Sequence, residues 1–134
     1  METKVQRRLV TTTELAALLR LHPFTVPKIF GDARVGRRYS GVVFDLQMVA
    51  DTISAASDTE VDVAGLSDLI TRNEAMALLD SMGVGRCRRT WAYWQEQGIG
   101  PRLIRVGRRV HHLRPEVIDW GVELAAVRRG YVPA

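Results

Sequence analysis

A chain of 134 residues, 46% of them apolar and with a mean hydropathy of −0.06, can fold as one domain or two small ones and is too apolar for a disordered protein. One cysteine, Cys87, excludes an internal disulfide framework, and the longest apolar runs fall far short of a membrane span. Nineteen basic residues against fifteen acidic ones, with a pI near 9.8, suit a polyanionic partner without requiring one.

Residues 1–8 (METKVQRR) lack the apolar core of a signal peptide, so a cytoplasmic location is expected. They read as a polar, basic arm carrying Lys4, Arg7 and Arg8, either disordered or a phosphate-contacting extension. Thr11-Thr12-Thr13-Glu14 then has the form of a capping box, and Leu15, Leu18 and Leu19 fall on one helical face. Pro23 ends that helix, because a proline disfavours helical geometry at the residue before it. A second, short helix is expected from about Pro23, with Phe24, Val26, Ile29 and Phe30, until Gly31-Asp32 stops it. The segment RVGRRY (residues 34–39) is expected to form a wing, and Asp45 to cap a helix carrying Leu46, Val49 and Ile53.

Residues 54–66 (SAASDTEVDVAGL) are small and acidic without a clear period, which suggests a linker. After it the opening pattern returns. LVTTTELAALL at residues 9–19 reappears as LITRNEAMALL at residues 69–79, with Leu, Thr, Glu, Ala, Leu and Leu matched at a spacing of 60. RVGRR at residues 34–38 reappears at residues 105–109. Two blocks in the same order argue for a duplicated unit. The expected organisation is a degenerate first copy over residues 1–54, an acidic linker over 55–66, and a complete second copy over 67–134.

In the second copy, Thr71-Arg72-Asn73-Glu74 is again a capping box, ahead of a stripe of Ala75, Leu78, Leu79 and Met82. Gly83-Val84-Gly85 is a turn with Val84 as its buried plug. A helix from about Arg86 to Gln97 follows, closed by Gly98 in the left-handed conformation. Residues 103–106 and 109–112 read as two strands across Gly107-Arg108, and Pro115 opens a last helix. The fold class expected is mainly α with small β-hairpin wings, as two tandem winged helix-turn-helix units.

Charge is distributed unevenly along this pattern. Residues 55–70 hold four acids and no base, whereas residues 83–114 hold eight arginines against one acid, Glu96. Helical spacing divides the second helix of this copy into a packed stripe, Cys87, Trp91 and Trp94, and a solvent stripe, Arg86, Arg89 and Tyr93, with Arg88 at its edge. Arginines so placed can bridge the two major-groove acceptors of guanine. Arg102, Arg105, Arg108 and Arg109 crowd the hairpin, where they suit phosphate contact or entry into a narrow minor groove. In the first copy Lys28, Arg34, Arg37 and Arg38 are the corresponding candidates. Neutralising about six to eight phosphates gives a log–log salt slope of roughly −5 to −7. His111 and His112 are adjacent in a strand and point to opposite faces, so they do not jointly ligate a metal. Zinc spacing, a nucleophile–base–acid set and a phosphate-cradling loop are all missing, so neither an enzyme nor a cofactor or small-molecule ligand is expected.

TRNEAMALL, RRTWAYWQEQG, RLIRVGRRV and RPEVIDW, in that order across residues 69–120, resemble the small winged-helix proteins of the MerR-like, excisionase type. Residues 9–53 follow the same pattern more loosely. The resemblance implies binding to double-stranded DNA, often with bending and cooperative self-association along the duplex. It further implies partnership with an integrase or recombinase, as a recombination directionality factor. A transcriptional regulator of a phage or mobile element, and a protein-binding adaptor on a winged-helix fold, are the competing expectations.

Overall fold

The computed structural model describes residues 9–38 and 41–128. The chain divides into two compact units, Met1–Ser67 and Asp68–Ala134. It is mainly helical, with two antiparallel sheets of three strands each.

The first unit runs β1 (Leu9–Thr11), α1 (Thr12–Leu19), α2 (Val26–Phe30), a single 3-10 turn (Gly31–Ala33), β2 (Arg34–Arg38), β3 (Gly41–Asp45) and α3 (Leu46–Ser57). The second unit has the same order after a 3-10 turn (Ala64–Asp68): β4 (Leu69–Thr71), α4 (Arg72–Ser81), α5 (Arg88–Gln97), β5 (Ile104–Val106), β6 (Arg109–Leu113) and α6 (Arg114–Arg128). Sheet order is β1-β3-β2 in one and β4-β6-β5 in the other. The duplication read from sequence is therefore also a duplication of topology.

Both capping boxes form. The Thr11 and Thr71 amides donate to the Glu14 and Glu74 carboxylates at 2.8 Å, and their hydroxyls accept from the amides of the same two glutamates. The boxes satisfy two of the free amides at each helix start. Asp45 caps α3 as expected, accepting from the Gln47 amide at 2.8 Å. Gly98 closes α5 with φ 70°.

Three expectations need correction. The sheets have a third strand, β1 or β4, where only hairpins were expected; a three-residue strand is too short to show an alternating pattern. Residues 55–66 are not a free linker. Residues 55–57 complete α3, Asp58 caps it at φ 53°, and the Ser54 hydroxyl accepts from the Val61 amide at 2.8 Å. Val61 and Leu66 are buried, so the acidic residues of this stretch sit on a folded segment. Finally, the two RVGRR blocks are not structural equivalents. Leu9 pairs with Asp45 and Leu69 with Leu113, which makes Asp45 and Leu113 counterparts. Gly36, paired with Val43, then matches Ile104, paired with His111, rather than Gly107. RVGRR lies inside β2 in the first unit and spans the hairpin turn in the second.

Leu15, Leu19, Val26, Phe30, Phe44, Val49 and Ile53 make the core of the first unit. The second core is Ile70, Ala75, Leu79, Val84, Trp91, Trp94 and Val117, flanked by Met82, Trp120 and Leu124. Val84 is the buried plug of the turn, as its position suggested. Trp94 meets Trp120 edge to face at 5.3 Å, an arrangement aromatic quadrupoles favour. The helices α4 and α6 approach closely at Gly121, where an added Cβ would lie 2.6 Å from the end of Met82.

Candidate nucleic-acid interface

In the second unit, α4 ends at Met82, a turn carries Val84, and α5 begins after Cys87. Trp91 and Trp94 bury one face of α5. Arg89 and Tyr93, four residues apart, stand on its opposite face, with Tyr93 57% exposed. Cys87 does not join the packed stripe: it is the exposed residue before the helix, and its thiol lies within 3.6 Å of the Thr90 hydroxyl. Arg86 also precedes the helix. Its Nη1 donates to the Val84 and Gly85 carbonyls at 2.9 Å each, so it braces the turn. The expected helix begins two residues too early, at Arg86 instead of Arg88.

The hairpin presents Arg105, Arg108 and Arg109 outward, with Gly107 at φ 64° making the tight turn. Arg102 belongs elsewhere. Its guanidinium meets the Glu116 carboxylate at 2.7 and 2.8 Å, and its amide donates to the same carboxylate at 3.1 Å, fastening the approach to β5 onto the start of α6. Of the eight arginine and tyrosine positions singled out from sequence, Arg86 and Arg102 are thus bound up in protein contacts. All eight are exposed.

Arg88 and Arg109 also share a cavity that sequence reasoning missed. It measures about 310 Å³ and is lined by Thr71, Arg72, Asn73, Arg88, Arg109, Val110 and His111. It joins the start of α4, the start of α5 and the β6 strand of the hairpin. Arg88 donates to the Asn73 side-chain oxygen. Arg72 is half-buried, with its Nε donating to His112 Nε2 at 2.8 Å and its guanidinium 5.0 Å above the Trp91 ring. Burial, and secondarily the charge of Arg88, lower the Arg72 pKa. Its buried Nη2 has no hydrogen-bond partner. Behind it, His112 Nδ1 donates to the Arg102 carbonyl at 2.8 Å, which leaves Nε2 as an acceptor for Arg72. The sequence did hold a signal for this site: Thr12 and Thr13 of the first copy are Arg72 and Asn73 in the second.

The first unit lacks a counterpart. By the strand register above, Thr12, Gly41 and Phe44 stand where the second unit has Arg72, Arg109 and His112. The helix α2 has five residues against ten in α5. Lys28 and Arg34 are exposed; the side chains of Arg37 and Arg38, like Tyr39 and residues 1–8, lie outside the described residues. The first unit has eight basic and eight acidic residues, the second eleven and seven, so the whole net charge of +4 belongs to the second.

Compared with known proteins, the chain matches no family model, no curated protein and no solved structure. Among the described residues no group of three or more His, Cys, Asp or Glu could hold a metal ion, and no helix is long and apolar enough to cross a membrane.

Proposed function

We propose that the second unit is a winged helix-turn-helix that binds double-stranded DNA, with α5 as the recognition helix and the β5–β6 hairpin as the wing. The observation that carries this reading is the shared cavity: Arg88 at the start of α5 and Arg109 beside the hairpin turn line one opening. Helix and wing therefore turn basic residues to the same side, as one duplex requires. Arg89 and Tyr93 are the groups for base edges, and Arg105, Arg108 and Arg109 those for phosphates or the minor groove. The first unit is a degenerate copy that carries no net charge.

Within DNA binding, the order of motifs across residues 69–120 supports an architectural role of excisionase type in site-specific recombination. Promoter binding without effect on excision would assign the chain to transcriptional regulation instead. Duplex affinity measured over a range of salt tests the wider reading. With Arg86 and Arg102 engaged by protein groups, about four to six phosphates are neutralised and the log–log slope is roughly −4 to −5. Failure to bind duplex at low salt overturns the proposal and leaves a protein-binding adaptor.

A further inference from the structure

We infer that the cavity between α4, α5 and the hairpin is a phosphate site in which Arg72, Arg88 and Arg109 clamp one phosphodiester of the DNA backbone. The inference rests on the DNA reading only for the source of that phosphate. Three guanidinium groups line the cavity, and no carboxylate does. Like charges so gathered repel one another, and an anion between them removes that penalty.

Arg72 is the pre-set member. Bonded to His112 on one edge and covered by Trp91 on one face, its guanidinium has little rotational freedom left to lose on binding. Its Nη2 is buried without a partner, so the guanidinium's desolvation is only partly compensated. Arg88 is steered by Asn73, and the backbone of Arg109 is held by strand pairing with Val106. The capping box occupies the Thr71 and Glu74 amides, leaving those of Arg72 and Asn73 at the positive end of α4. A phosphate seated here touches the first helix, the recognition helix and the wing together. It would thereby set how deeply α5 enters the groove.

The test uses the full chain and a random-sequence duplex. Arg88→Gln and Arg109→Gln are each expected to weaken binding about tenfold, the effect of one charge-assisted hydrogen bond. Because the remaining guanidinium groups still neutralise the shared phosphate, the salt slope stays nearly unchanged in each single variant. In the double variant only Arg72 is left on that phosphate, and the slope falls by no more than about 0.9, one phosphate. A fall of about twice that in the double variant means separate phosphates and overturns the clamp, as does unaltered binding. Both arginines are exposed, so neither change threatens the fold.

A second arm separates this proposal from the wider one. Inorganic phosphate is titrated against chloride of equal ionic strength while the Arg72 and Asn73 amides are followed by NMR. Shifts specific to phosphate in a chain that binds no duplex keep the site and transfer it to free phosphate, while the DNA reading falls. Amides that respond equally to chloride overturn the site even where duplex binding stands.

Discussion

Acidification should destabilise the second unit through His112, whose ring is fully buried behind the clamp. Its two nitrogens hold the Arg102 carbonyl and the Arg72 Nε at 2.8 Å each, and its ring lies 5.0 Å from that of Trp91. Burial is the largest cause that lowers its pKa from 6.5 to about 4, with the charges of Arg72 and His111 adding to it. The Arg102 carbonyl and Glu116 act in the opposite direction. Between those two values the unfolded chain takes up a proton that the native ring refuses. The stability contribution is therefore complete above pH 6.5, declines as the pH falls and is lost at about pH 4. At about 1.4 kcal/mol for each pH unit, the full interval is worth roughly 3 kcal/mol. For a unit of 67 residues that is a large share of its total stability. Urea unfolding followed by tryptophan emission reports on this unit alone, because Trp91, Trp94 and Trp120 all lie in it. In His112→Gln the amide can accept from Arg72 and donate to the Arg102 carbonyl without titrating, so its stability should fall less steeply between pH 6.5 and 4. Parallel decline in the two proteins would refute the role given to the imidazole.

Other outcomes are expected from single sites. Arg89→Ala should reduce discrimination between duplex sequences, whereas Arg108→Ala should weaken all duplexes alike; equal losses on specific and random DNA for both contradict the assigned roles. Glu116→Gln, which breaks the partly exposed pair with Arg102, should lower the urea midpoint by an amount equivalent to about 1 kcal/mol or less and leave the salt slope of binding unaltered. Gly121→Ala should destabilise the second unit by about 1 kcal/mol, since the new methyl meets the flexible end of Met82 and the Leu79 side chain, and Met82→Ala should restore part of the loss. Replacing Lys28 and Arg34 together by Gln should leave the salt slope unchanged; a decrease of about 2 would show that the first unit contacts phosphates.

Local chemistry made much of this architecture legible. The two Thr-x-x-Glu boxes, the Asp45 cap, the Gly98 stop and the Trp91–Trp94 stripe are each determined by residues a few positions apart, and each appears as expected. What escaped reading depends on contacts across the sequence. Strand β4 is visible only in its pairing with β6, forty or more positions away. Arg102 looks identical to Arg105 in sequence until Glu116 is brought beside it. The cavity draws residues from positions 71 to 111, and no periodicity links those sites.

The false equivalence of the RVGRR blocks is instructive about how the copies diverged. What the units share, a cap, an opening strand and the sheet order, serves folding, because each half must bury its own core. The differences collect at one opening. Between equivalent positions Thr12, Gly41 and Phe44 give way to Arg72, Arg109 and His112, and the second helix doubles in length. A half-buried guanidinium needs an acceptor on one side and a π-face on another, or its desolvation is uncompensated. His112 and Trp91 supply those in the second unit. In the first unit Phe44 occupies the histidine position and offers no acceptor, so an arginine introduced at position 12 would lack the support that orients Arg72. The cationic opening is thus a coupled set of substitutions, and its members make physical sense only together.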